Sequence, residues 1–87
     1  MMSPKVEFFL YSKPDCAACD VFKASLDENN IPYYLIDITG DPDLKYRYGA
    51  RIPVLVAGTT EVCEGAYDGR AVEHYLGNAG QNIKMGY

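Results

Sequence analysis

Two cysteines stand three positions apart in Cys16-Ala17-Ala18-Cys19, directly after the apolar run Val6-Glu7-Phe8-Phe9-Leu10-Tyr11 and at the head of a helix-like stretch. Thiols at such a junction suit dithiol chemistry. A helix start offers unpaired backbone N–H groups and about half a positive charge, which favours thiolate over thiol at the first cysteine. Cys19 follows one turn later and faces the first sulfur. It can therefore resolve a mixed disulfide formed at Cys16 and release the partner as a free thiol. The residues point to thiol–disulfide exchange, with Cys16 as nucleophile and Cys19 as resolving thiol. Lys13 favours the Cys16 thiolate and Asp15 opposes it. Of the eight tyrosines, Tyr11 and Tyr67 are expected nearest the sulfurs.

The elements that must position these groups follow from periodicity. Residues 6–11 predict a buried strand and residues 15–28 a helix, closed by Asn29-Asn30. Pro32 restarts the chain as extended, and residues 33–38 are aromatic and β-branched, a second strand. A helix between two strands implies a right-handed crossover and parallel pairing. After Thr39-Gly40, a short helix over about 41–48 ends at Gly49, and residues 53–57 predict a third strand. Gly58-Thr59-Thr60 turns the chain so that residues 61–64 pair antiparallel with it. Asp68 is placed to cap a last helix carrying Val72, Tyr75 and Leu76 on one face. The order is βαβαββα, an α/β arrangement with a four-stranded mixed sheet flanked by helices. Residues 78–87 carry two glycines and little periodicity, and no element is assigned to them.

The 87 residues, 48% hydrophobic, suit one domain over 1–87 with one modest core. The net charge of −4 and the scatter of the eight basic residues give no phosphate-tracking stripe, so no nucleic acid partner is expected. The N-terminal apolar run, interrupted by Glu7, is too short for a signal segment or a membrane span, and a cytoplasmic location without membrane contact is expected. Three cysteines cannot form a fully paired framework within one chain, which fits an active pair in a reducing compartment. A CxxC is also half of a zinc site. The other candidate ligands, Cys63 and His74, fall on a strand end and a helix, so no metal is expected.

With CxxC after the first strand and a proline opening the third, the chain resembles the thioredoxin superfamily in its short glutaredoxin form, over nearly its whole length. Tyr11-Ser12-Lys13-Pro14-Asp15-Cys16-Ala17-Ala18-Cys19 is similar to the glutaredoxin active-site segment, in which a lysine precedes the cysteine by three residues. Arg51-Ile52-Pro53 resembles that family's Thr-Val-Pro, whose proline is cis, and Gly65-Ala66-Tyr67-Asp68 resembles its Gly-Gly-x-Asp glutathione loop. The resemblance implies a thioredoxin-like fold, no bound prosthetic group, and glutathione or disulfide-containing proteins as partners. It also implies that the backbone of Ile52 beside Pro53 meets the incoming disulfide as a strand-like edge. The γ-glutamyl carboxylate of glutathione would take free N–H groups at the start of the last helix, near Asp68 and Gly69, and the glycyl carboxylate would meet Lys13 or Lys45. The segments 37–42 and 53–58 are equally similar to the redoxins that reduce ribonucleotide reductase, which thioredoxin reductase recharges. Here Ala17-Ala18 replaces the glutaredoxin Pro-Tyr, and residues between the sulfurs tune the potential. Arg51 and Ala66 replace the threonine and second glycine that help hold glutathione.

Two readings from other classes stand beside this one. The first is an iron–sulfur carrier with a cluster shared between subunits, as in some glutaredoxins, and the second is a redox-silent adaptor binding peptides in the Pro53 groove. Cys63 lies outside the family pattern. A tight hairpin at Gly58-Thr59 would set it opposite Val54 or Leu55, as a buried small hydrophobe or a third redox thiol. Arg47 and Arg51 are expected as solvated charges, with a grip on an anionic partner as the lesser alternative, and His74 as a surface residue.

Overall fold

The computed structural model describes residues 6–84, with side chains described to Leu76. The elements run β1 (Phe8–Ser12), α1 (Ala17–Glu28), β2 (Tyr34–Asp37), α2 (Pro42–Tyr48), β3 (Val54–Ala57), β4 (Thr60–Glu64) and α3 (Gly69–Lys84). This is the βαβαββα order that the periodicity predicts. The strands form one mixed sheet in the order β2-β1-β3-β4. β1 pairs parallel with β2, as the crossover requires, and antiparallel with β3, which pairs antiparallel with β4. The hairpin turns on Gly58-Thr59 alone, because Ala57 already faces Thr60, and Gly58 supplies the left-handed φ of 64°.

Alternation along β1 divides the core between the two sheet faces. Phe8 and Leu10 turn to one face, where Phe22 and Leu26 of α1, Leu55 of β3 and Val72 of α3 join them, all essentially without exposure. Burying a side chain of that size contributes about 1.5–3 kcal/mol. Phe9 and Tyr11 turn to the other face, against Tyr48 of α2 with Val54 and Val56 of β3. The seven-residue α2 covers only part of that face.

Element boundaries differ from the expectation for local reasons. α1 begins at Ala17, two residues later than the pattern suggests, because Asp15 adopts a left-handed φ of 58° and Cys16 is the extended N-cap. β1 continues through Ser12, whose neighbour across the sheet is Asp37. β2 is shorter than residues 33–38 and is an edge strand, with Tyr34 55% and Leu35 50% exposed. α3 continues through Lys84, across residues whose weak periodicity predicts no element, and 85–87 lie outside the described residues. No helix among the described residues is long and apolar enough to cross a membrane.

Candidate active site

Pairing between Tyr11 and Val54 sets the C-terminal end of β1 beside the N-terminal end of β3. The loop carrying Cys16 therefore lies next to the loop carrying Ile52-Pro53. Cys16 is the N-cap of α1, and its Sγ accepts the Cys19 backbone N–H at 3.1 Å. A sulfur thus takes the capping role that Ser, Thr, Asp or Asn commonly fills. Cys16 and Cys19 are joined as a disulfide, their Cα atoms 5.2 Å apart. The two thiols are not equivalent: Cys19 has no exposure, whereas Cys16 is half-buried. Only Cys16 faces outward to meet a substrate.

The Ile52–Pro53 peptide bond is cis. Pro53 C=O accepts the Gly65 N–H at 2.8 Å, which ties this loop to the segment that follows β4, and Gly65 takes a φ of 80° there. Arg51 and Ile52 both donate their backbone N–H groups to Tyr48 C=O, at 2.8 and 3.0 Å. This corrects the expected strand-like edge at Ile52. Its N–H is used internally, and the carbonyl is the group left to receive a hydrogen bond, with no backbone partner among the described residues.

Arg51 is the residue that the sequence placed least well. It is no solvated charge: Nη1 bonds Glu61 Oε1 at 2.9 Å and Glu64 Oε1 at 2.8 Å, while Nη2 bonds Glu61 Oε2 at 2.9 Å and Arg47 C=O at 3.3 Å. Its guanidinium also lies 5.5 Å from the centre of the Tyr48 ring, and Arg47 lies 6.0 Å from it. The hydrogen bonds to Glu61 and Glu64 push Arg51 still further above the guanidinium range, and the Arg51 bonds hold the Glu61 carboxyl below its usual value. The acids are ten and thirteen residues away in sequence. A periodic pattern in one segment carries no trace of such a triad.

The remaining candidates spread over three surroundings. Tyr11 stacks on Tyr48 with ring centres 4.2 Å apart, and burial raises its phenol first, followed by the charge and hydrogen bond of Tyr48. Lys13 is exposed and borders a depression of about 240 Å³ with Ser12, Pro14, Lys23, Leu35 and Asp37. Tyr67 meets the edge of Phe22, ring centres 5.8 Å apart, and lines a groove of about 590 Å³ with Cys63, Glu64, Asp68, Gly69 and Arg70. Asp68 caps α3 as expected, Oδ1 accepting from Arg70 N–H at 3.1 Å and Ala71 N–H at 3.2 Å, while its C=O accepts from Val72 N–H. The Arg70 and Ala71 donors are therefore engaged by the chain's own carboxylate. Of the N–H groups at this helix start, that of Gly69 has no backbone partner among the described residues.

Cys63 is a half-buried free thiol opposite Leu55, one of the two positions that the hairpin allowed. Burial pushes its pKa up, outweighing the hydrogen bond from the Asp68 backbone. Among the described residues, no group of three or more His, Cys, Asp or Glu is arranged to hold a metal ion.

A βαβαββα chain with a disulfide at the head of α1 and a cis-proline opening β3 is a glutaredoxin-like member of the thioredoxin superfamily. The family description Glutaredoxin-like domain (DUF836) matches residues 7–77, and the chain belongs to that family. Protein Ne2328 from Nitrosomonas europaea is similar in structure, with a TM-score of 0.76 at 25% identity over 86% of this chain and 95% of its own. Protein XcR50 from X. campestris gives 0.70 at 27% identity over 84% and 99%. A mutant of the thioredoxin-like protein BC3987 gives 0.59 at 25% over 80% and 99%. No curated protein matches the sequence.

Proposed function

We propose that this protein is a thiol–disulfide oxidoreductase that reduces protein or glutathione mixed disulfides. The observation that carries the reading is the unequal pair at the start of α1, with an accessible Cys16 capping the helix and a fully buried Cys19 bonded to it. In the reduced protein the N–H that meets Cys16 Sγ and the aligned helix peptides favour the thiolate. That thiolate attacks one sulfur of the substrate disulfide, and the other sulfur leaves as a thiolate that takes up a proton. Cys19, deprotonated as it reacts, then attacks Cys16 Sγ. The bond between Cys16 and the substrate breaks, the second substrate thiol is released, and the two electrons given up by the pair leave the Cys16–Cys19 disulfide. An external dithiol, or two equivalents of a monothiol such as glutathione, restores the starting state.

Glutathione is one candidate donor, for which the resemblance supplies Lys13, Tyr67, Asp68 and Gly69 as binding residues. A protein donor of the thioredoxin reductase kind is the second reading, and two observations favour it. Arg51 is paired with Glu61 and Glu64, and the Arg70 and Ala71 N–H groups with Asp68, so three groups suited to a small anionic thiol are already partnered. The experiment is NADPH consumption by the oxidised protein, with glutathione and glutathione reductase in one arm and thioredoxin reductase in the other. Turnover in the first arm alone identifies a glutaredoxin, and in the second alone a redoxin recharged by a flavoprotein. Turnover in neither, with a Cys16–Cys19 disulfide that dithiothreitol also fails to reduce in the native protein, overturns the reading.

A further inference from the structure

We infer that Arg51 is a positioning residue for substrate docking: clamped by Glu61 and Glu64, it fixes the Ile52-Pro53 loop so that Ile52 presents its carbonyl to a polypeptide disulfide. The inference rests on the oxidoreductase reading and adds to it the part of the chain that sets how a polypeptide is held.

Four connections meet at this loop. The Arg51 and Ile52 N–H groups fold it back onto the last carbonyl of α2, and Gly65 N–H holds Pro53 C=O from the side of β4. The third connection is the guanidinium. It spans from β4, through both oxygens of Glu61 and one of Glu64, to the Arg47 carbonyl in α2. The fourth is the face of Tyr48, on which the guanidinium lies and which stacks on Tyr11 of β1. Arg51 thus joins α2, β4 and β1 around two residues that carry no side-chain hydrogen bond of their own. A planar fork with five donors can make this pattern, and a lysine cannot.

The position of Arg51 admits an opposite role, in which it binds an anionic group of the substrate directly. The two roles separate by sign. If Arg51 is a clamp, removing Glu61 loosens the loop and weakens docking, as removing Arg51 does. If Arg51 is an anion receptor, removing Glu61 frees the guanidinium and strengthens binding of a carboxylate-bearing substrate.

The test is single-turnover oxidation of the reduced protein by three disulfides: an acetylated and amidated peptide free of acidic side chains, the same peptide with a free C-terminal carboxylate, and bis(hydroxyethyl) disulfide, which has no peptide backbone. Arg51→Ala, Glu61→Ala and the double variant are compared with the unchanged protein. The half-saturating peptide concentration is expected to rise on the order of tenfold in each single variant, the scale set by small misplacement of a docking group. The double variant is expected to be no worse than either single one. The limiting rate with peptide and the whole reaction with bis(hydroxyethyl) disulfide should stay within about twofold, because Cys16 and Cys19 are untouched. Equal losses with the capped peptide and with bis(hydroxyethyl) disulfide, or tighter binding of the carboxylate-bearing peptide in Glu61→Ala, would overturn the inference. Amide hydrogen exchange gives a readout free of turnover, with Ile52 and Gly65 exchanging faster in Arg51→Ala and in the milder Arg51→Lys. If the unchanged protein reacts with none of the three disulfides, the oxidoreductase reading falls. Unaltered exchange at Ile52 and Gly65 then overturns the clamp on its own.

Discussion

Two loops meet at one end of the sheet, and they are held by different means. The Cys16 loop, between β1 and α1, is fixed mainly by backbone: a left-handed Asp15, the first turn of α1 and the N–H of Cys19. The Ile52-Pro53 loop, between α2 and β3, is fixed by side chains drawn from distant segments, with Arg51 gripping Glu61 and Glu64 over the ring of Tyr48. The first loop places reacting atoms, and a helix start accomplishes that within a few residues. The second presents a surface to a partner, and its stiffness depends on tertiary contacts. Chemistry is local in this fold, whereas recognition is assembled.

The comparison breaks most sharply at the sulfurs. Cys16→Ser is expected to bring disulfide reduction down to the uncatalysed background, while Cys19→Ser keeps the first attack and stalls at the mixed disulfide. Turnover assays with mass measurement of adducts check both. Next in size is the core beneath α1, the helix that Cys16 caps. Phe22 is fully buried in the first core and touches the ring of Tyr67, so Phe22→Ala should cost about 3–5 kcal/mol in denaturant unfolding. That is a large share of the 5–15 kcal/mol typical of such a domain.

The ion pair gives a pH-dependent test of the assembled loop. Arg51 holds Glu61 below its ordinary carboxyl value, so the contribution to stability is fully present above the unfolded-state value near 4.3. It is lost as pH falls through the depressed folded value. The melting temperature of Glu61→Gln should fall below that of the unchanged protein at neutral pH and converge with it in acid. A gap independent of pH would show that packing, not charge, holds Arg51.

Thiol reactivity sharpens the contrast further. Burial raises the Cys63 thiol, so iodoacetamide at neutral pH should modify Cys16 of the reduced protein well before Cys63, as read by peptide mapping. The smallest effect concerns the backbone at Asp15. Asn tolerates the left-handed region as Asp does, so Asp15→Asn should leave the melting temperature nearly unchanged. Asp15→Val should lose about 1–2 kcal/mol, because a β-branched residue is forced to positive φ.

The same division explains what could be read from the chain. The strand and helix order, the parallel crossover and the proline of β3 follow from period, punctuation and short motifs, each contained within a few residues. The CxxC and the Asp68 cap were legible for the same reason. The Arg51 clamp was not, because its partners come from a strand ten to thirteen residues later and only the hairpin register brings them across. The engagement of the Ile52 N–H by Tyr48 was hidden likewise, since the expected strand-like edge at Ile52 does not specify which of its backbone groups is taken up within the chain. The Asp15 conformation is a single-residue feature, and its signal is weak: Asp is among the few residues that visit that region.

The most direct test of the central claim is to mix reduced Cys19→Ser protein with a disulfide-bonded peptide and locate the adduct by mass spectrometry. The account predicts one peptide per chain, joined to Cys16 and released by dithiothreitol. An adduct confined to Cys63, or no adduct while Cys16 remains a free thiol, would contradict it.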